Sequence, residues 1–140
     1  MARSGPIVLV DDDEDDRDFI IDVLKELDIP NPVLYFNDCA PALRYLKETQ
    51  DSPFLIISDV NLPKQTGLEF KRSIDTDPQL RQKSIPFVFL STSVRQQDVN
   101  EAYSQMTTQG FFQKKAKLEE LKKVIRIIFD YWEHCFHPNT

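Results

Sequence analysis

The chain has 140 residues, of which 41% are hydrophobic and 29% charged, a composition that supports one folded domain with a buried core. Its net charge of -6 argues against nucleic acid or an anionic membrane as a partner, because their phosphates require a basic surface. Three glycines are too few for a glycine-rich phosphate loop, and two cysteines are too few for a disulfide scaffold. The first residues form neither a signal peptide nor a membrane span, so we expect a cytoplasmic protein.

Short apolar runs alternate along the chain with longer amphipathic stretches. The apolar runs predict five buried strands, at residues 7–10, 33–36, 54–57, 86–90 and 110–113. Apolar residues at helical spacing predict five helices. Three of them lie at residues 19–27, 67–74 and 118–132. Another begins at an N-cap at Asn37 or Asp38 and runs through Leu46, and the remaining one begins at a Ser93–Gln96 capping box and runs through Tyr103 and Met106.

This alternation predicts an α/β fold in which a parallel sheet carries helices on both faces. We expect a single domain over residues 6–134, followed by a short, frayed C-terminal tail at 135–140. His134, Cys135 and His137 stand near this tail, but no second group of ligands completes a metal site with them. In folds of this class, ligands bind where the carboxyl ends of the strands meet at one rim.

Polar, reactive side chains follow four of the five predicted strands. Asp11 and Asp12 follow the first strand and Asp59 the third, while Ser91 follows the fourth and Lys114 the fifth. Unit charges of one sign about 4 Å apart repel by roughly 4 kcal/mol at an effective dielectric constant near 20. The three carboxylates therefore require a retained proton or a bound cation.

An all-oxygen site of this kind suits Mg2+, with Mn2+ as a substitute. Together with an ammonium and a hydroxyl, the metal would form a site for a phosphoryl group carried on one carboxylate. Taken alone, the acidic run at residues 11–16 is typical of a solvated surface. The combination of carboxylates, a hydroxyl and an ammonium at four strand ends is what indicates a chemical role.

The motifs around these residues resemble the receiver domain of bacterial two-component response regulators over essentially the whole chain. The resemblance rests on residues 7–12, on 56–63 with Gly67 after them, on 86–91 and on Lys114. It implies a doubly wound, five-stranded parallel sheet in the flavodoxin-like strand order 2-1-3-4-5. The chain resembles single-domain regulators of the chemotaxis and phytochrome-associated types, and its aromatic-rich final helix resembles that of regulators paired with phytochrome-like or hybrid sensor kinases.

The resemblance also implies a phosphoacceptor and a set of metal ligands. Asp59 would attack the phosphohistidine of a sensor histidine kinase or phosphotransfer protein as a carboxylate nucleophile. Asp12 would bind Mg2+ directly and Asp11 through water. Asp59 and the backbone carbonyl of Asn61 would complete the protein ligands of the metal.

Other residues are implied to contact the phosphoryl group or to respond to it. Ser91 and Lys114 would each bind a phosphoryl oxygen, which places them with Asp59 in the catalytic set. Ser91 and Phe111 would act as the switch pair, with the aromatic ring swinging inward as the hydroxyl moves. Asn61 and Ser93 occupy the two positions that tune how long the phosphoryl group lasts.

One residue departs from the family pattern. The family usually has a proline after the conserved lysine, joined by a cis peptide bond that aims the amine into the site, whereas Lys115 follows Lys114 here. A cis bond without proline costs about 2.5 to 4 kcal/mol. The sequence leaves open whether the Lys114–Lys115 peptide is cis or the lysine is aimed differently.

We therefore expect a stand-alone response regulator that offers a changed surface to an unidentified downstream protein. It would catalyse its own phosphorylation and dephosphorylation without being a dedicated enzyme, as a monomer or a phosphorylation-dependent homodimer. Two alternatives remain. A pseudo-receiver would bind partners without phosphorylation. A haloacid-dehalogenase-type, Mg2+-dependent aspartyl phosphatase would carry its nucleophile after the first strand, whereas the best candidate here follows the third.

Overall fold

Five strands form one parallel sheet in the order β2-β1-β3-β4-β5 in the computed structural model, which describes residues 4–92 and 95–139. The strands are β1 (Ile7–Val10), β2 (Val33–Phe36), β3 (Leu55–Ser58), β4 (Phe87–Ser91) and β5 (Gly110–Gln113). The helices are α1 (Glu14–Glu26), α2 (Cys39–Glu48), α3 (Gly67–Thr76), α4 (Pro78–Lys83), α5 (Gln96–Gln105) and α6 (Leu118–His134). The predicted doubly wound sheet and its strand order are confirmed.

Successive side chains of a buried strand point to opposite faces of the sheet, so both faces are apolar and both are covered by helices. Val8 and Val10 of β1 face a core that is closed by α2, α3, α4 and α5. Ile7 and Leu9 of the same strand face a second core, which is closed by α1 and α6. Such a sheet leaves its carboxyl rim open to ligands, between the two layers of helices.

The structure differs from the sequence prediction in three local features. A short helix, α4, follows α3 directly; it begins with Pro78, and the side chain of Asp77 accepts hydrogen bonds from the backbone N–H groups of its first turn. Strands β3 and β4 begin one residue later than predicted, at Leu55 and Phe87, and they extend through Ser58 and Ser91, which continue the ladder with neighbouring strands. Helix α5 begins at Gln96 with Arg95 in the N-cap position, so the capping-box prediction was wrong.

Two predictions of side-chain environment were also wrong. Tyr103, expected on the apolar side of its helix, is 56% exposed. The C-terminal tail, expected to be frayed, packs against the start of β3: His137 is buried, its ring stacks on Phe54, and its Nε2 lies 2.7 Å from the Phe54 carbonyl oxygen. Among the described residues, no helix combines the length and apolar character needed to cross a bilayer.

Candidate functional site

The carboxyl ends of three strands bring one ammonium and two carboxylates to the same point. Asp11 follows β1, Asp59 follows β3 and Lys114 follows β5. Their backbones continue the sheet, since the Asp59 N–H donates to the Val10 carbonyl at 3.0 Å and the Lys114 N–H donates to the Ser91 carbonyl at 2.8 Å. The rim is therefore a rigid extension of the strands, which suits a site that depends on fixed geometry.

Lys114 is the centre of this arrangement. Its Nζ lies 2.6 Å from Asp11 Oδ2, 3.0 Å from Asp16 Oδ2 and 3.3 Å from Asp59 Oδ2. Its side chain is only 2% exposed. An ammonium has three N–H donors, so the three carboxylates satisfy it completely.

Burial and charge act in opposite directions on the two innermost groups. Burial alone would lower the pKa of Lys114, but the hydrogen bonds and charges of Asp11, Asp59 and Asp16 outweigh it and raise that pKa. Burial raises the pKa of Asp11 above its usual value, although Lys114 opposes the shift. The lysine is therefore charged at neutral pH, and Asp11 is a carboxylate at which a proton competes with any cation.

The carboxylates are close enough to share a metal ion. Oxygen atoms from Asp11, Asp16 and Asp59 all lie within 4.8 Å of one another. One ammonium against three carboxylates leaves negative charge uncompensated, and an all-oxygen donor set is the kind that Mg2+ and Mn2+ prefer. Asp12, which the sequence places among the ligands, is exposed and lies outside this group of three. Its role as a ligand stays a prediction.

The loop after β3 presents Asp59 to the rim. Asp59 is buried, and its Oδ1 accepts a hydrogen bond from the Asn61 backbone N–H at 3.2 Å. Gly67 closes the loop by donating from its N–H to the Val60 carbonyl at 2.7 Å. A Cβ atom at Gly67 would lie 2.1 Å from the Asp59 carbonyl oxygen, so this position requires glycine. Asn61 itself is exposed.

The residues expected to respond to phosphate lie on the neighbouring strands. Ser91 is fully buried at the end of β4, opposite Gln113 of β5. Phe111 is half-buried, with its ring 5.2 Å from that of Phe89, and its backbone N–H donates to the hydroxyl of the exposed Tyr103. Ser93, expected to tune the lifetime of the phosphoryl group, lies outside the described residues.

A family model for the response regulator receiver domain matches residues 7–126. The chain belongs to this family. Response regulator Rcp1 of Synechocystis sp. is 32% identical over 131 residues, which cover 90% of this chain and 87% of that protein. Crystal structures of two relatives superpose closely: the phosphorylated cyanobacterial phytochrome response regulator RcpA (TM-score 0.83, 31% identity, 95% of this chain and 97% of the other) and the Mn(2+)-bound form of Rcp1 (TM-score 0.81, 30%, 95% and 98%).

This receiver domain aims its lysine without the cis peptide bond that the family pattern led us to consider. Among residues 4–92 and 95–139 there is no cis peptide bond, so Lys114 and Lys115 are joined in trans. The ammonium nevertheless lies against Asp11 and Asp59. The absence of proline at position 115 has therefore not displaced the lysine from the site.

Sequence reasoning missed one residue of the receiver site. Asp16 was grouped with the solvated acids of the run 11–16, yet its carboxylate pairs with Lys114. It is the third residue of α1, which begins directly after the rim. The available signal was its position in the first turn of a helix that follows a site-bearing strand. That signal does not identify which of several adjacent acids faces the rim.

Proposed function

We propose that this receiver domain accepts a phosphoryl group on Asp59 in a Mg2+-dependent reaction and signals through a changed protein-binding surface. The donor would be a sensor histidine kinase or a phosphotransfer protein. The observation that carries the proposal is the buried contact between Lys114 and Asp59, at 3.3 Å, beside a second carboxylate that can hold a cation. Membership of the receiver family supports the same reading.

The chemical step is a displacement at phosphorus. A carboxylate oxygen of Asp59 forms a bond to phosphorus as the bond between phosphorus and the donor's histidine nitrogen breaks, and the nitrogen keeps the electron pair. The product is an acyl phosphate on Asp59. Lys114 would pair with a phosphoryl oxygen, and the Ser91 hydroxyl would donate a hydrogen bond to another.

Mg2+ would supply charge compensation and orient the phosphoryl oxygens. Asp11, Asp59 and the carbonyl of Asn61 are the ligands we propose, together with Asp12 from the mouth of the site. A 30% identical relative, Rcp1, has been crystallised in a Mn(2+)-bound form, which supports a divalent cation as the bound ion. Millimolar Mg2+ that produced no heat of binding in calorimetry would contradict this assignment.

The output surface we propose comprises α5, β5 and α6. It adjoins the switch pair, since Ser91 and Phe111 lie on the two strands that meet there. Exposed apolar side chains on these elements are available to a partner, namely Tyr103 on α5 and Ile127 and Tyr131 on α6. A shift of the Phe111 backbone would also move Tyr103, because the Tyr103 hydroxyl accepts a hydrogen bond from the Phe111 backbone N–H.

Labelling with acetyl phosphate and Mg2+ tests the proposal. The wild-type chain should form a hydroxylamine-sensitive phosphoprotein, Asp59→Asn should take no label, and Asp22→Asn, an exposed change on α1 with the same loss of charge, should label like the wild type. A wild-type chain that takes no label from acetyl phosphate or from a phosphorylated histidine donor would be a pseudo-receiver. Catalytic release of phosphate with no accumulated label would indicate a phosphatase.

A further inference from the structure

We infer that Asp16 is a positioning residue, whose ion pair with Lys114 holds the ammonium at the phosphoacceptor while the other carboxylates are engaged. This inference rests on the proposed function, because it concerns the role of Lys114 in phosphoryl transfer. The contact is direct: Asp16 Oδ2 lies 3.0 Å from Lys114 Nζ, closer than Asp59 Oδ2 does. A charge-assisted hydrogen bond at this distance is among the stronger interactions of a side chain.

The partners of Lys114 divide into two kinds. Asp11 and Asp59 are the carboxylates that the metal and the phosphoryl group would occupy, so their oxygens are shared during the reaction. Asp16 lies in the same group of carboxylates, but it is not among the metal ligands we propose. Its side chain is 30% exposed, against 2% for Asp11 and 8% for Asp59. It is therefore the carboxylate that remains to hold the ammonium at the rim when the inner two are engaged.

The backbone of Asp16 is held by the turn that leads into α1. The Asp13 N–H donates to Asp11 Oδ1 at 3.0 Å, and Asp13 in turn caps the helix by accepting from the Asp15 and Asp16 N–H groups. This chain of hydrogen bonds joins the end of β1 to the first turn of α1. Asp16 is thus fixed relative to Asp11, and both approach Lys114 from a rigid support.

Lys114 needs such a partner because its own backbone does little to aim the ammonium. It is joined to Lys115 by a trans peptide bond, and its N–H donates to the Ser91 carbonyl, which fixes the backbone but not the four-carbon side chain. The direction of the ammonium is therefore set by the charges around it. Asp16 supplies the charge on the side of α1.

Two variants test this role, and a third serves as the matched control. Asp16→Asn removes the charge at the contact, and Asp16→Glu keeps it. Asp15→Asn removes a charge from the adjacent, exposed position, whose carboxylate makes no ion pair within the described part of the chain. Asp15→Asn therefore controls for the loss of negative charge near an anionic phosphodonor and near the start of α1. A thermal unfolding curve for each of the three variants is the check that the variant is folded.

The first measurement is the rate constant for labelling by acetyl phosphate at saturating Mg2+. Asp16→Asn should slow labelling roughly tenfold, the effect of one charge-assisted hydrogen bond on a transition state. Asp15→Asn should label at the wild-type rate, and Asp16→Glu should recover most of the loss. In a Lys114→Ala background, Asp16→Asn should cause no further slowing, because its effect acts through the lysine. An equal slowing in both backgrounds would overturn the inference.

The second measurement does not depend on phosphorylation. In metal-free protein, the Nζ protons of Lys114, observed by 15N NMR, should exchange with solvent faster in Asp16→Asn than in Asp15→Asn or the wild type. Equal exchange and equal labelling in Asp16→Asn and Asp15→Asn would refute the positioning role. A wild-type chain that takes no label would refute the proposed function instead, and the proton exchange would then decide alone whether Asp16 holds the ammonium.

Discussion

Asp75→Asn should destabilise the fold strongly, because it removes the counterion of a buried ammonium. Lys71 of α3 is buried, and its Nζ lies 2.9 Å from Asp75 Oδ1 and 3.0 Å from the Thr107 hydroxyl. Asp75 also accepts from the Thr107 N–H at 3.0 Å and from the Thr107 hydroxyl at 2.7 Å. The group thus ties α3, which follows the phosphoacceptor loop, to the connection that enters β5.

The magnitude follows from the burial of the pair. Removing one partner of a buried ion pair costs about 3 to 5 kcal/mol. Burial lowers the pKa of Lys71, which means that burying its charged form costs free energy and offsets part of the stability gained from the ion pair. The expected loss of unfolding free energy is therefore at the lower end of that range, about 3 kcal/mol. For a chain of this size this corresponds to roughly 10 °C in Tm. Asp22→Asn, an exposed change of the same type, should stay within about 0.5 kcal/mol.

The loss should also depend on pH in a defined direction. Burial alone would raise the pKa of Asp75, but hydrogen bonds from Lys71 and Thr107 outweigh it, and the folded-state pKa lies below the usual value. Such a group contributes stability above its unfolded pKa, near 4, and loses that contribution as pH falls through the folded value. The difference between wild type and Asp75→Asn should therefore be constant at neutral pH and shrink below about pH 4.

Urea unfolding followed by Trp132 fluorescence measures this difference, since Trp132 is buried and is the single tryptophan of the chain. Lys71→Met should cost less than Asp75→Asn, because Asp75 keeps both bonds from Thr107 and no charge is left without a polar partner. The reasoning fails if Asp75→Asn is no less stable than Asp22→Asn, or if the difference persists unchanged in acid.

Three further predictions concern the site itself. Gly67→Ala should lose about 2 kcal/mol of stability and slow labelling, because the new Cβ would meet the Asp59 carbonyl at 2.1 Å and the loop must shift; unfolding and labelling that match the wild type would contradict this. Asn61→Leu should lengthen the lifetime of the phosphorylated chain, since the amide can orient an attacking water, and faster loss of label would argue against it. Mg2+ affinity measured by calorimetry should fall as the solution is acidified, because burial raises the pKa of Asp11 and a proton then competes with the metal; an affinity that does not change with pH would count against Asp11 as a ligand.

The sequence alone determined the class of fold and the approximate position of the site. Strands β1, β2 and β5 begin and end where the sequence predicts. β1 is buried at every position, which is why its run is apolar throughout. The parallel arrangement then requires residues that follow these strands to share a rim. Asp11, Asp59 and Lys114 are therefore predicted to lie together, although Lys114 is 103 residues from Asp11 along the chain.

Only the tertiary structure decided which polar side chains face one another. Asp16 stands among five other acids in the run 11–16, and the start of α1 together with the position of Lys114 selects it. The same holds for His137, whose ring packs on Phe54 although the two residues are 83 positions apart in the chain. It also holds for Lys71, which donates to the hydroxyl of Thr107, 36 residues later. Hydrophobic periodicity reports which face of an element is buried, and that property is local. The pairing of a charge with its partner depends on distances of a few ångströms between elements far apart in the chain, which no local pattern contains.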